Sequence, residues 1–302
     1  MTHQPIVAIV GPTATGKTTF GIALAQMLGG EVVSADSRQV YRGLNLGTGK
    51  VTADEAHGVP HHLIDVSDPS RRFTVHDFVQ LGRASIDAIV TRGHTPLVVG
   101  GTGLYVDALL GRRTLDAPPP DPALRARLST FEFHSLIDEL RLVDPERYAR
   151  TDLKNRRRVE RALEVTLSET QPQKGSAVPQ YSVIWVGLTL PREVLKERIV
   201  TRLHSRLAAG MLDEARTLLS QGVTLTRMEE LGLEYRYMAR HLSGALTYTE
   251  MVVSLESEIY KYAKRQMTWF KPNTDITWLD ARTAEPHLIA QKLRAHQDSN
   301  LD

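Results

Sequence analysis

Apolar and polar positions alternate along the first hundred residues in a way that predicts strands interleaved with helices. Ile6-Val7-Ala8-Ile9-Val10 is a β-rich apolar run closed by Gly11-Pro12. From Lys17 to Leu28 the apolar residues Phe20, Leu24 and Leu28 keep the spacing of one helical face. Glu31–Ser34, Leu63–Asp65 and Pro96–Val99 predict three further strands, with a helix from Val75 to Arg92 between the last two. Strands alternating with helices imply a parallel sheet, so the expected fold is α/β, a parallel sheet flanked by helices.

The texture changes after Gly111. Asp116 to Pro122 is a stiff, proline-rich connector, followed by helical, charged sequence to about Glu169 and by a second breaker cluster from Gln171-Pro172 to Pro179. Tyr181 to Leu188 again reads as a strand, and Arg192 to Phe270 is helical in pattern, broken near Gly210, Gly222, Gly232 and Gly244. The expected organisation is a first core part over 1–118, an inserted helical domain over 119–180 and a second, mostly helical core part over 181–302. No internal repeat stands out.

Composition narrows the chemistry. The chain has 302 residues, 41% hydrophobic and 24% charged, which is ordinary material for a sizeable core. No apolar run approaches a membrane span and Met1–Pro5 lacks the layout of a secretory signal, so a cytoplasmic protein is expected. A monomer is the expected state, although no residue pattern decides it. Zero cysteines exclude disulfides, thiolate catalysis and cysteine-ligated zinc; the adjacent His61-His62 belong to no HExxH-type spacing. A net charge of +2 neither demands nor forbids nucleic acid, because what matters is whether the basic residues gather on one face.

Gly11-Pro12-Thr13-Ala14-Thr15-Gly16-Lys17-Thr18 matches GxxxxGK[ST] without a mismatch, between a predicted strand and a predicted helix. Such a loop turns backbone N–H groups around a phosphate, adds the positive potential of a helix N-terminus and the charge of Lys17, and offers the Thr18 hydroxyl to Mg²⁺. With this loop the expected fold is a P-loop NTPase-like parallel sheet flanked by helices; the loop indicates a polyphosphate and does not specify ATP. A motor or switch NTPase places an aspartate at the end of an apolar strand, whereas Leu97-Val98-Val99 runs into Gly100-Gly101-Thr102-Gly103. That turn suits close approach to a ligand at the carboxyl edge of the sheet, and equally suits a plain strand-to-helix connection. Asp36 follows the second strand at the same edge, where a carboxylate serves as a metal ligand or general base, or as a helix cap.

Farther on, Lys154, Arg157, Arg158 and Arg161 follow i, i+3, i+4, i+7 spacing on a helix expected to begin near Asp152, with Val159, Leu163 and Thr166 opposite. A basic stripe backed by an apolar one fits a helix docked on a phosphate backbone; a solvated charged face has the same pattern.

Taken in order, Gly11 to Thr18, Asp36 to Tyr41, Gly47 to Lys50, His61 to Asp65, Gly100 to Tyr105, Arg161 to Glu164 and Tyr262 to Phe270 resemble the bacterial tRNA dimethylallyltransferase family over nearly the whole chain. The resemblance implies that dimethylallyl diphosphate occupies the phosphate loop. It implies that the acceptor is the exocyclic N6 amine of the adenosine 3′ of the anticodon in tRNA. Asp36 matches the family's general base, and Lys17, Thr18, the loop residues and Mg²⁺ match the diphosphate site. Thr102 matches a position near the substrate adenine. Asp36, Ser37, Arg38, Gln39 and Arg125 match positions that touch tRNA, and the segment with Arg157, Arg158 and Arg161 matches one that contacts the anticodon arm. The chain departs from the family where an arginine is expected to hold the diphosphate. It reads Arg227-Met228-Glu229-Glu230-Leu231-Gly232-Leu233-Glu234-Tyr235-Arg236, so Arg236, then Arg227, stand as replacements, with neither reaching the site as the alternative. Tyr41, Tyr105 and Trp269 offer stacking surfaces for an extruded base or serve as core. Three competing readings are a small-molecule kinase, an isopentenyltransferase acting on free adenine nucleotides, and a nucleotide-binding module.

Overall fold

A computed structural model describes residues 5–115, 121–168 and 181–298. It divides into two compact units, one formed by Met1–Arg113 with Pro179–Asp302 and the other by Thr114–Val178. Most of the proline-rich connector, from Asp116 to Pro120, and the breaker cluster Gln171 to Pro179 lie outside the described residues.

The larger unit is built on a six-stranded sheet, all parallel, of β1 (Ile6–Val10), β2 (Gly30–Ser34), β3 (His61–His62), β4 (Thr95–Val99), β5 (Val183–Thr189) and β6 (Thr277–Asp280), in the order β3-β2-β4-β1-β5-β6. β1 is buried at every position, which is why its sequence is unbroken apolar rather than alternating. β4 lies between β1 and β2, so the segments leaving β1, β4 and β2 emerge side by side at the carboxyl edge. Ala35 N donates to Val99 O at 2.8 Å, and Gly100 N to Ile9 O at 3.1 Å.

One face of the sheet is covered by the helix Lys17–Leu28, through Phe20, Ile22, Leu24 and Ala25, and by Ile289, Ala290 and Leu293 of the helix Pro286–Asp298. A second apolar cluster is formed by the helices Arg192–Ala208, Met211–Ser220, Leu225–Glu230, Leu233–Leu242 and Tyr248–Phe270 around Val40, Tyr41 and Leu44. The breaks between these helices contain Gly210, Gly222, Gly232 and Gly244, all with positive φ. Within the smaller unit the helices Pro122–Ser129, Phe133–Val143, Pro145–Arg150 and Arg156–Leu167 enclose Leu124, Leu128, Leu136, Leu140, Val159 and Leu163. No helix among the described residues is long and apolar enough to cross a membrane.

The third strand, the basic helix and a sixth strand differ from the sequence expectation. The third strand is His61–His62, not Leu63–Asp65: Leu63 and Asp65 have φ of 64° and 58°, a left-handed conformation that cannot continue a strand. Asp65 is drawn out of the strand by its N–H to Gln39 O and by Lys50, whose Nζ donates to its carboxylate at 2.5 Å. The basic helix begins at Arg156, not near Asp152, because Asn155 caps it by accepting from Arg158 N. Lys154 therefore precedes the helix and does not share its face. The short β6 was not anticipated; four residues with a polar end carry too little periodicity to mark a strand.

Candidate active site

The phosphate loop links β1 to the helix Lys17–Leu28. Gly11 takes φ 136°, and a Cβ there would lie 2.3 Å from the Leu188 carbonyl oxygen, so the strand leaves the sheet only as glycine. Ala14 and Gly16 are left-handed at φ 63° and 86°, the curl that makes an anion-binding concavity. Thr15 is buried and its hydroxyl donates to Pro12 O at 2.9 Å. Lys17 Nζ donates to the same carbonyl at 2.6 Å. Burial foremost, then the charge of Arg202, pulls Lys17 down to about 7, against the opposing pull of Asp36. Thr13 N donates to Gln266 Oε1 at 2.8 Å while Gln266 Nε2 donates to Gly101 O at 2.9 Å, so one buried glutamine ties the loops after β1 and β4 together.

Asp36 stands past the end of β2. One carboxylate oxygen, Oδ1, accepts from Arg38 N at 2.8 Å and Gln39 N at 3.4 Å, the capping geometry that an Asp-Ser pair allows. The same residue lines the main cavity, so the cap fixes the carboxylate at a ligand-sized space. Thr102 Oγ1 accepts from Ser37 N at 3.1 Å and hydrogen-bonds with the Tyr262 hydroxyl. Burial, then the charge of Asp36, pushes Tyr262 up to about 12, which keeps its proton in place.

The cavity has a volume of about 1090 Å³, and Thr13, Ala14, Gly16, Lys17 and Thr18 line it together with Asp36 and Gln39. Its opposite wall is the helix Arg192–Ala208, which contributes Val194, Arg198, Arg202 and Ser205. Burial lowers Arg202 and lowers Arg206 to about 10, and it raises the neighbouring Glu234, whose shift Arg206 and Arg202 oppose. The sequence reading missed this wall, although Arg198, Arg202 and Arg206 recur every four residues and so share one helical face. It also missed Gln266 and Tyr262 as site residues, whose exposure to the cavity depends on how the helix Tyr248–Phe270 is rotated. Among the described residues no three His, Asp or Glu gather to hold a metal. The exposed Thr18 hydroxyl at the loop nevertheless suits Mg²⁺, which takes few protein ligands and completes its shell with phosphate oxygens and water.

Other expected residues have different surroundings. Arg236 does not line the cavity, and its Nε donates to Glu229 O at 3.1 Å. Arg227 ties loops together through Pro69 O, Arg71 O and Glu230, with its guanidinium over the Tyr41 ring. Arg38 Nη1 donates to Glu230 O at 3.0 Å, and Ser37, Arg38 and Thr102 are not among the residues that line the cavity, although their chain neighbours Asp36, Gln39 and Gly101 are. Tyr41 and Tyr105 are core residues: the Tyr41 hydroxyl accepts from Phe73 N, and Tyr105 stacks on Phe78 with ring centres 4.3 Å apart. Trp269 is 40% exposed, its Nε1 donating to Asp107 and Arg113 lying over its ring. In the smaller unit Arg125 and Arg161 each donate to Glu164 Oε2 at 2.9 Å, a carboxylate with no exposed surface. Arg157 and Arg158 are exposed, and Arg158 also reaches Asp152 at 3.3 Å.

Comparison with known proteins gives this geometry a family. The IPP transferase family model matches residues 39–273, and the isopentenyl transferase model matches residues 4–68. The chain is 42% identical over 280 residues to tRNA dimethylallyltransferase 2 of Syntrophotalea carbinolica, covering 91% of this chain and 94% of that protein. It is 43% identical over 287 residues to the tRNA dimethylallyltransferase of Symbiobacterium thermophilum, covering 91% and 89%. The crystal structure of the tRNA isopentenylpyrophosphate transferase of Bacillus halodurans superposes with a TM-score of 0.74 at 38% identity, covering 99% of this chain and 100% of that one. A eukaryotic dimethylallyltransferase acting on tRNA superposes with a TM-score of 0.76 at 26% identity, covering 91% and 73%. With a phosphate loop, a fixed carboxylate and a basic wall around one cavity, and with relatives alike over nearly their whole length, the chain belongs to the IPP transferase family of tRNA dimethylallyltransferases.

Proposed function

We propose that this protein transfers the dimethylallyl group of dimethylallyl diphosphate to the N6 amine of the adenosine 3′ of the anticodon in tRNA, releasing diphosphate. The observation that carries this reading is that the phosphate loop and the Asp36 carboxylate border the same cavity in a chain of this family.

In the reaction the N6–C1 bond forms as the C1–O bond to diphosphate breaks, and the amine loses a proton. An adenine amine is a weak nucleophile because its lone pair is delocalised into the ring, so a base that accepts its proton aids attack. Asp36 is that base, with one oxygen held by Arg38 N and Gln39 N and the group facing the cavity. Tyr262 keeps its proton and, with Thr102, offers hydrogen-bonding hydroxyls beside the adenine. Negative charge grows on the departing diphosphate, and the curled loop and Lys17 lower its energy. Mg²⁺ held by Thr18 would supply further charge there. The target base is turned out of the anticodon stack to reach a recessed carboxylate. Arg125, Arg157, Arg158 and Arg161 meet the anticodon arm, Arg125 and Arg161 while also fixing Glu164.

Incubation of the protein with Mg²⁺, dimethylallyl diphosphate and unmodified tRNA, followed by nuclease digestion, tests the proposal. Prenylated adenosine is expected. One second reading, transfer to a free adenine nucleotide, would use the same phosphate loop and Asp36. ATP or AMP prenylated as fast as tRNA would establish it instead.

A further inference from the structure

A primary amide is seldom buried on the apolar face of a helix, because its polar atoms lose their water and need partners in exchange. Gln266 is such a residue. It is 6% exposed, on the face of the helix Tyr248–Phe270 that also buries Ile259, Ala263 and Phe270. Its partners lie 253 and 165 residues earlier: Oε1 accepts from Thr13 N at 2.8 Å, and Nε2 donates to Gly101 O at 2.9 Å. A backbone N–H only donates and a carbonyl only accepts, so the two partners fix which way the amide faces. Gly101 is bare at this contact, since a Cβ there would lie 2.1 Å from Gln266 Nε2.

The bridge continues past Gly101. The peptide between Gly101 and Thr102 is held at both ends: its carbonyl accepts from Gln266, and its N–H donates to Ala35 O at 3.2 Å. Thr102 Oγ1 in turn accepts from Ser37 N at 3.1 Å. Ala35 and Ser37 are the chain neighbours of Asp36, so Thr102 grips the segment that carries the carboxylate on both sides. One connected series of hydrogen bonds therefore runs from Thr13 in the phosphate loop, through the Gln266 amide and the Gly101–Thr102 peptide, to the backbone around Asp36. Such a network moves as a unit, because no member shifts without leaving another unpaired.

We infer that Gln266 is a positioning residue that fixes the distance from the phosphate loop to Asp36. The inference rests on the transferase reading above, in which the loop holds the departing diphosphate and Asp36 takes the proton of the incoming amine. Attack on C1 needs the amine nitrogen, the carbon and the departing oxygen in line, and a misplacement of about 1 Å can cost about 10²-fold in rate. Gln266 acts through backbone on both sides and transfers no proton itself.

The test compares the wild type with Gln266→Met, which keeps the length of the side chain but bonds neither loop, and with Gly101→Ala, whose Cβ displaces the amide. In the prenylation assay both variants are expected to lose about 10²-fold in kcat, with KM for dimethylallyl diphosphate and for tRNA each within about threefold of wild type. Hydrogen exchange supplies a second readout that needs no turnover and that a glutamine serving only stability would not move. Adding Mg²⁺ and inorganic diphosphate to the wild type is expected to slow exchange in the phosphate loop and also at residues 35–39, whereas in Gln266→Met only the phosphate loop should slow. Should Gln266→Met fail to fold, Gly101→Ala carries both measurements. Unchanged kcat in the folded variants, a loss confined to KM, or slowing at residues 35–39 that survives the substitution overturns the positioning role while leaving the transferase reading intact. A wild type that shows the coupled slowing but prenylates no tRNA overturns that reading and leaves the bridge standing.

Discussion

The two ends of β2 carry carboxylates in opposite situations. At its start, Glu31 is only 3% exposed and is fully engaged: Arg92 donates to both oxygens at 3.0 and 2.7 Å, and His62 and His94 each hydrogen-bond at 2.6 Å. Past its end, Asp36 has one oxygen held by two backbone N–H groups and faces a cavity where Lys17, Arg202 and Arg206 lie within electrostatic reach. Arg92 foremost, aided by the histidines, holds Glu31 down to about 2, so its charge is a fixture of the fold. Around Asp36 the charges are left with open donors and acceptors. Saturation marks charge that holds structure, and incomplete saturation marks charge kept for a ligand. Glu164 in the smaller unit is of the first kind, accepting from Asp121 N, Arg125 and Arg161.

The sharpest way to break this contrast is Asp36→Asn, which keeps an oxygen for Arg38 N and so preserves the turn while removing the base. Turnover is expected to fall about 10²- to 10⁴-fold with tRNA binding little changed. Near-normal turnover would mean that Asp36 is structural after all.

Next in size is Lys17→Met, expected to reduce turnover by about 10²-fold. It carries a pH signature as well. Because Lys17 is pulled down to about 7 in the free protein, it is protonated below that pH and increasingly neutral above it. Diphosphate affinity should therefore decline as pH rises through 7, more steeply in the wild type than in Lys17→Met titrated in parallel. Identical pH profiles for the two proteins would remove Lys17 from the site.

At the saturated end, Glu31→Ala should cost about 2 kcal/mol of stability, since it strips a buried acceptor from three donors, while the variant that still folds keeps its turnover. The folded pKa lies below the ordinary carboxylate value, so this stabilisation is complete above about 4.5 and fades as pH falls toward about 2. Thermal melts of wild type and variant should converge over that acidic range and differ by a constant amount near neutrality. A constant difference across the whole range would contradict the role assigned to the Glu31 charge.

The smallest effect separates two kinds of arginine in the smaller unit. Replacing the exposed Arg157 and Arg158 by alanine should lower the slope of log tRNA affinity against log salt by about 0.7 to 0.9 per lost phosphate contact, leaving the melting temperature alone. Arg161→Ala should in addition lower the melting temperature, because the buried Glu164 loses a donor. Equal melting temperatures for all three variants would place Arg161 with the exposed pair.

Much of this was legible in the residues. The unbroken apolar run Ile6–Val10, the GxxxxGK[ST] match and the helical spacing from Lys17 to Leu28 determined the strand, loop and helix that open the cavity, because each depends on contacts between near neighbours in the chain. The glycine breaks at 210, 222, 232 and 244 likewise divided the second half correctly into helices. What only the tertiary structure decided is where side chains meet across long separations. Arg227 and Arg236 were drawn to the diphosphate by their place in the sequence, yet loop carbonyls at Pro69, Arg71 and Glu229 engage their guanidiniums, and no local pattern announces those partners. Arg202 and Arg206 sit in an ordinary-looking amphipathic helix, and they converge only because a strap more than 150 residues earlier presents the bare backbone of Gly49 to both. Periodicity states which residues share a face of a helix; which wall that face meets is set by packing of the whole core.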